Sequence, residues 1–389
     1  MNRRLNYILS CSGIYHYIDI AKVLHQRNQL KNIVCGYPWY KLKNYQINKK
    51  FVSANGLIRI LREPLIRSSY FQRIDEFLNK LNSKMIDRVT CDKIDEIDDV
   101  DVLLGFAGVS KLSGKKINEK KKIYLCDSTS AHIKEQNMIL ADEYKEFLNK
   151  KVQINSWVID YKTEEYENAN IILTPSRFVK KSFEKFNFSK IKVLELATNT
   201  TNFFPIEKIK KSDKFFDILF VGQQSLQKGL HYLIEGFKKF NHPHKRLHII
   251  GSQTKDIEFF RNKLKHKDII VYGQMKQFEI NEIANKCHVC VLPSIQDGFG
   301  LVVLQTAAAG CPSIVSKNTG ALDFIEKHEC GLSVPIRDSN SIADKLQLLS
   351  DDKDLLKKFS FNAIKFSKNN TWENYVERLE KLILDYKNC

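Results

Sequence analysis

No run of the chain approaches the roughly 18 uninterrupted apolar residues that a membrane-spanning helix needs. The opening NYILSCS, after Met1-Asn-Arg-Arg, is too short an apolar stretch for the hydrophobic segment of a secretory signal. No unit repeats at a fixed period of roughly 20–50 residues, which argues against solenoids and propellers. Cysteine offers no disulfide framework: there are nine, an odd number, and most sit in apolar runs such as IYLC (Cys126) and KCHVCVL (Cys287, Cys290). Cys287-His-Val-Cys290 has the spacing of half a zinc site, but no second pair lies at a matching distance. Both thiols read as core packing, and no metal is expected. Acidic residues are outnumbered, 45 against 62 Lys and Arg, leaving a formal charge of +17. With 43% hydrophobic and 28% charged residues the chain can bury large cores and is no disordered basic tail. We therefore expect a soluble, cytoplasmic protein of two or three domains. The surplus charge points to a nucleic acid, an anionic membrane or a phosphorylated small molecule.

What is present is a regular alternation of short β-branched runs with longer helical stretches, the mark of α/β layering. NYILSCS, KNIVCGY, VDVLLGFAG, KKIYLCD, ANIILTPS and KIKVLEL read as strands of a first half, with a helix from about Tyr15 to Asn28. FFDILFVG, RLHIIGS, DIIVYGQ, HVCVLPS, CPSIVS and GLSVP restart the rhythm, with a helix near Leu230–Phe240. Between them ATNTTNFFPIEKIKKSDK is polar and lysine-rich, as a linker is. The expected organisation is a first domain over residues 1–200, a linker over 201–214 and a second domain over 215–370. A closing amphipathic helix over 371–389 follows, with Trp372, Tyr375, Val376, Leu379, Leu382 and Ile383 at helical spacing. The fold class is α/β, two Rossmann-like doubly wound sheets facing across a cleft.

Open α/β sheets bind ligands outside the carboxyl ends of their strands, so the residues after each strand carry the information. In the second half these begin with Gly222-Gln223, Gly251, Gly273 and Pro293. SIQDGFGLVVLQTAAAG (Ser294–Gly310) places a tight turn at Gly298 and Gly300 before a helix, whose free N–H groups at Phe299–Leu301 suit a phosphate or a sugar oxygen. Asp297 stands at the mouth of that turn, and Gln305 lies just over one helical turn into the helix. Alone, the segment is equally a plain crossover.

It does not stand alone. DILFVGQQSLQKGLHYLIEGF, HIIGS, VYGQM, the stretch through SIQDGFGLVVLQTAAAG to NTGALDFI, and CGLSVP occur in that order. Together they resemble the nucleotide-binding half of GT-B glycosyltransferases, in particular the retaining group numbered family 4. CDSTSAHI, NANIILTPSRFVKKSF and ELATNTTNFFP resemble the acceptor half and hinge of the same family. The resemblance spans the chain, strongest from Phe215 to Pro335. It implies transfer of a sugar from a nucleotide-sugar donor to a glycan or lipid-linked acceptor with retention of configuration, in a metal-independent reaction. It implies no cofactor, since the nucleotide-sugar is a substrate. Lys228 matches the lysine that neutralises the donor diphosphate, Asp297 and Gln305 the two ends of the family's Glu-x7-Glu, and Gly13 the N-terminal glycine loop near the phosphates. His132, after KKIYLCD, would face the cleft near sugar and acceptor. The resemblance thus makes His132, Asp297 and Lys228 catalytic candidates. It lines the donor site with Gly13, Gly222, Gln223, Lys228, Gly273, Gly298, Phe299, Gly300, Leu301 and Gln305.

Three departures stand out: Gln223 where the family carries arginine, Asp297 for the first glutamate, and Gln305 for the second. They fit altered donor geometry or a nucleotide-sugar-binding protein without turnover. Asp99-Val100-Asp101 has a metal-binding DxD spacing but precedes its strand, so it reads as a solvated turn. SCSGIYHYID lacks the G-x-G-x-x-G of a dinucleotide oxidoreductase. His16, a helix-face histidine among tyrosines, could reach the cleft but reads first as packing. The charge leaves a basic nucleic-acid-binding protein as the alternative from another class, but no helix-turn-helix, finger or RNP-like motif supports it, and no nucleic-acid partner is expected. The basic excess leans to the first half. Residues 1–200 carry 34 basic and 23 acidic side chains; residues 201–389 carry 28 and 22. Between 41 and 73, Lys41, Lys43, Lys49, Lys50, Arg59, Arg62, Arg67 and Arg73 meet only Glu63, amid Leu57, Ile58, Ile60, Leu61, Leu65, Ile66 and Phe71. That blend suits an anionic membrane surface, with the protein peripheral at the cytoplasmic face, as well as a solvated helix pair.

Overall fold

The computed structural model describes residues 4–14, 16–54, 56–62, 72–198, 200–254 and 256–388. Two parallel sheets organise them. The first joins β1 (Tyr7–Cys11), β2 (Leu30–Cys35), β3 (Val52–Ala54), β4 (Val102–Phe106), β5 (Ile123–Asp127), β6 (Ile171–Thr174) and β7 (Ile191–Val193) in the order β3-β2-β1-β4-β5-β6-β7. The second joins β8 (Phe216–Val221), β9 (Lys245–Ile250), β10 (Ile269–Gly273), β11 (Val289–Leu292), β12 (Ser313–Ser316) and β13 (Gly331–Val334) in the order β10-β9-β8-β11-β12-β13. Each is a doubly wound sheet whose order reverses beside its first strand, at β1/β4 and β8/β11. The central strands are apolar along their whole length because helices cover both faces. YILSC of β1 and VCVL of β11 are buried at every position.

The twelve strands expected from the sequence all form. The thirteenth, β3, is a three-residue edge strand of half-buried residues, too short to show a period. Residues 201–214 hold no helix or strand, yet they run along the second half rather than hanging free. The Phe204 and Ile206 N–H groups donate to Asn281 and Asn285, and Lys211 Nζ donates to the Gly310 carbonyl at 3.0 Å. Cys287 ends the helix Gln277–Lys286 and only Cys290 lies in the strand, but both are buried in one apolar cluster with Cys311. Asp101 is buried rather than solvated: its carboxylate accepts the Asn6 N–H at 3.0 Å at the amino end of β4, while Asp99 pairs with Lys31.

The closing helix Trp372–Lys387 is capped by Thr371 and lies on the helix Tyr17–Gln26 of the first half. Trp372, Tyr375, Val376, Leu379 and Ile383 are buried there, and Arg27 bonds Glu377 at 3.0 Å and Glu380 at 3.5 Å. A second bridge comes from the helix Ile133–Leu148. Its buried Glu143 receives His231 Nε2 at 2.9 Å and Arg337 Nε at 2.7 Å from the second half. Tyr144 OH donates to Asp256 at 2.7 Å. The carboxyl ends of both sheets meet around one cavity.

Candidate active site

The second-half wall is built from the turn after β11. Asp297 Oδ1 accepts the Gly300 N–H at 3.0 Å, folding the turn back on itself. Gly300 has φ +75°, a left-handed conformation that side chains resist, and from it the helix Leu301–Ala308 departs. Gly298 is required for a different reason. A Cβ there would stand 1.8 Å from the Thr129 carbonyl oxygen, because the turn presses against the loop after β5. The Ser176 hydroxyl, from the first half, donates to the Gly298 carbonyl at 2.8 Å. The other oxygen of Asp297 accepts from Lys228 Nζ at 2.6 Å, so a half-buried ion pair faces the cavity. The Lys228 loop is tied down from below, its Leu226 N–H donating to Asp256 at 3.1 Å.

The cavity is about 700 Å³ and is lined on this side by Lys228, Asp297, Phe299, Gly300, Leu301 and Gln305. The connection between the halves contributes Leu196, Ala197 and Asn202, the helix Gln277–Lys286 contributes Gln277, and the closing helix contributes Trp372. The first-half wall consists of Ile14, His16, Ile18, Asp19, Tyr45, Phe106, Thr129 and Ser130. Here His16 Nε2 meets Asp127 Oδ2 at 2.8 Å, both side chains being almost fully buried. The imidazole lies parallel to Trp372 of the closing helix, with ring centroids 6.0 Å apart and an 11° interplanar angle. Asp19, one turn along, is pushed up to about 6 by burial, against the pull of His16 and Lys22. Such a wall offers carboxylate and imidazole acceptors, suited to hydroxyl groups; the opposite wall offers a cation and a helix N-terminus, suited to an anion.

Six sequence-derived candidates therefore converge: Lys228, Asp297, Phe299, Gly300, Leu301 and Gln305. Gly222, Gln223 and Gly273 lie at the ends of β8 and β10 outside this lining; Gln223 is exposed, and the Gly273 α-carbon faces open space. Gly13 is buried, and its carbonyl accepts the Cys11 thiol at 3.1 Å; its neighbour Ile14 reaches the cavity instead. The expectation for His132 is corrected. It is 0% exposed and away from the cavity, caged by Tyr166, Phe183, Phe186 and Phe188. Its Nδ1 caps the helix Ile133–Leu148 through the Lys134 N–H at 3.4 Å, and burial pulls its pKa down to about 4. The imidazole in the cavity is His16, whose reading as mere packing does not hold. Asp127 and Asp19 were missed altogether. The signal for Asp127 was its place as the last residue of β5, where ligands gather.

Residues 202–366 match the family model described as glycosyl transferases group 1. Around this group 1 domain the whole chain superposes on GT-B structures. A sucrose-phosphate synthase from Thermosynechococcus elongatus aligns at TM-score 0.72 and 16% identity, over 98% of this chain and 99% of that one. Anabaena HepE, solved with UDP and glucose, aligns at TM-score 0.69 and 12% identity, over 98% and 100%. At such identities the likeness establishes the fold. By sequence, the chain is 30% identical over 166 residues to a glycosyltransferase of Methanocaldococcus jannaschii, covering 42% of this chain and 46% of that protein. It is 27% identical over 191 residues to the capsular polysaccharide biosynthesis glycosyltransferase CapM of Staphylococcus aureus, covering 44% and 49%. The chain thus spans about half the length of the curated relatives it matches, 46% and 49% for these two. Among the described residues no helix is long and apolar enough to cross a membrane.

Proposed function

We propose that the chain transfers a sugar from a nucleotide-sugar donor to a glycan or lipid-linked acceptor, retaining the anomeric configuration and using no metal. The observation that carries the reading is the Lys228–Asp297 pair facing the cavity beside the N-terminus of Leu301–Ala308. As the bond from the anomeric carbon to the diphosphate oxygen breaks, negative charge grows on the diphosphate and positive charge on the carbon. The Lys228 ammonium stabilises the first, exchanging part of its bond to Asp297 for one to phosphate, and the helix N-terminus adds to it. These donors supply the charge stabilisation that a metal would otherwise give. Asp297 and Gln305 supply acceptors for sugar and ribose hydroxyls. In the retaining route the acceptor oxygen bonds the anomeric carbon on the face the phosphate leaves, and its proton passes to the leaving phosphate oxygen.

The test is a thermal-shift screen of the chain against UDP, GDP, ADP and CMP sugars, followed by an NMR assay of the product anomer. One nucleotide class should stabilise the wild type and lose its effect in Lys228→Ala. If none does, the transferase reading fails. Binding without turnover would favour a nucleotide-sugar-binding protein.

The acceptor side is proposed to rest on an anionic membrane. Leu57 and Phe77 are 69% and 64% exposed, and Ile60, Leu61, Ile74 and Leu81 are exposed on the same two packed helices, Leu57–Arg62 and Gln72–Glu96. Lys41, Lys43, Lys49 and Lys50 precede them; Arg67, Leu65, Ile66 and Phe71 of the same stretch lie outside the described residues. Six apolar side chains left in water beside a basic run favour a lipid surface over a solvated helix pair. Sedimentation with phosphatidylglycerol vesicles, absent with phosphatidylcholine, is the expected result.

A further inference from the structure

The cavity's two walls are chemically unlike, and the first-half wall has a group that the donor does not need. His16 is 5% exposed, and its Nε2 is taken by Asp127 at 2.8 Å. Asp127 is itself buried at the end of β5, and where its carboxylate accepts the Nε2 proton of a neutral imidazole, Nδ1 is left bare. That Nδ1 caps no helix and has no partner among the described residues, yet it is not among the sealed, unsatisfied polar atoms. It opens on the cavity. The ring cannot swing away, because Trp372 stacks on one side and Tyr17 packs edge-on at 5.0 Å. Asp19, on the same wall, adds a second carboxyl. Nothing cationic from the first half lines this cavity among the described residues.

We propose that His16 is the acceptor-binding residue of this cavity, its Nδ1 accepting a hydrogen bond from a hydroxyl of an uncharged sugar ring, and that Asp127 is the positioning residue that keeps Nδ1 bare. The proposal rests on the transferase reading and narrows its substrate class. A phosphate presented to this wall would face Asp19, with no first-half cation to receive it, whereas a sugar hydroxyl finds an acceptor. The hydroxyl held by His16 neighbours the one that attacks; the attacking proton still leaves on the diphosphate. The anion stays at Lys228 and the neutral ring at His16, so the two walls sort the two substrates.

The experiment compares wild type, His16→Ala and Asp127→Asn with the nucleotide-sugar picked by the thermal-shift screen. Three quantities are read: the Kd of the free nucleotide, hydrolysis of the donor by water, and transfer to a panel of methyl glycosides. Expected for both variants are a nucleotide Kd and a hydrolysis rate within about two-fold of wild type. Transfer should fall about ten-fold, mostly through a higher acceptor KM, as for loss of a directional hydrogen bond in a water-poor site. Imidazole nitrogen NMR should show the Nε2–H tautomer in wild type and the reverse tautomer in Asp127→Asn, a change that a merely structural aspartate would not produce. Equal loss of hydrolysis and transfer would put His16 at the donor sugar and overturn the proposal, as would unchanged transfer. A panel in which no neutral glycoside accepts sugar or shifts the His16 nitrogens, or in which glycerol 3-phosphate outcompetes all of them, overturns it too while leaving nucleotide binding intact. A wild type that binds no nucleotide removes the transferase reading and this inference with it. The NMR measurement on wild type stands even where His16→Ala fails to fold.

Discussion

Lys228 and Asp297 are partners before any donor arrives, and that pairing decides how each should fail. Lys228→Ala removes the cation and leaves a half-buried carboxylate facing the incoming diphosphate. Loss of one charge-assisted bond is worth about 1.5–3 kcal/mol, so nucleotide-sugar affinity should drop on the order of 10- to 100-fold. Asp297→Asn keeps the turn acceptor for the Gly300 N–H but frees Lys228 of its counter-ion. Free UDP should then bind as well as or better than in wild type, while turnover falls; isothermal titration beside a transfer assay separates the two. His132 makes the opposite case. Its folded pKa, near 4, lies below the ordinary value of about 6.5. Its contribution to stability is therefore complete above pH 6.5 and is lost as the pH falls toward 4, where the unfolded chain takes the proton first. His132→Asn retains a capping acceptor, should flatten that acid limb in pH-dependent urea melts, and should leave nucleotide binding unchanged. Lys228, Asp297 and Gln305 were legible in the sequence because each belongs to a local motif whose backbone fixes where it points. His16 and Asp127 were not, since their pairing crosses 111 positions. Two histidines, each flanked by aromatic residues or loops, looked alike until the cage around one and the cavity beside the other separated them.

At the level of elements, a strand reads from its apolar run, whereas the approach of one element to another does not. Twelve strands were visible in the sequence because parallel sheets buried on both faces demand continuous hydrophobic residues. The edge strand β3, half-buried and three residues long, had no such signature. Nor did the pressing of the turn after β11 against the loop after β5, which is set by shape. The glycines of SIQDGFG were read as a tight turn for a ligand; Gly298 turns out to serve the contact between halves. Gly298→Ala tests this. Its methyl group cannot coexist with the Thr129 carbonyl, so either the turn or the loop must retreat and the Ser176 bond to the Gly298 carbonyl is lost. A cost of about 1–3 kcal/mol is expected for such overpacking, read from urea denaturation. Nucleotide affinity should fall with it, because Asp297 and Lys228 move with the turn. A variant of wild-type stability and affinity would mean that the halves stand further apart in solution.

For the whole molecule the question is what holds two separately wound sheets as one body. The sequence suggested a polar linker and a closing helix; the structure adds a polar bridge at Glu143 that no periodicity announces. Glu143 is wholly buried. Burial opposes its charge, but the hydrogen bonds of His231 and Arg337 hold its pKa below the ordinary carboxylate value. The three partners come from three places in the chain, so breaking the bridge acts on the joint and not on either core. Removing Glu143 leaves a neutral imidazole and an arginine that is one-third exposed and can turn to water, and Glu143→Ala should cost about 2–3 kcal/mol. Arg337→Ala is the harsher change, because it leaves a carboxylate buried without its cation, at about 3–5 kcal/mol near neutral pH. In wild type, with the Glu143 pKa lowered, its contribution is present above the ordinary carboxylate range and is lost as the pH falls. Without Arg337, burial is opposed only by His231, so the Glu143 pKa should rise from its wild-type position, and the deficit against wild type should grow as the pH rises and shrink toward pH 5. Urea melts of Arg337→Ala at pH 5 and pH 8 should thus bring the variant closer to wild type at the lower pH. A deficit equal at both pH values would mean that Arg337 packs against the joint without neutralising it. Because Tyr144, next to Glu143, bonds Asp256, and Asp256 anchors the Leu226 N–H of the Lys228 loop, the loosened joint should also weaken nucleotide binding. Lys228 needs no mutation for that loss, since its position depends on the joint.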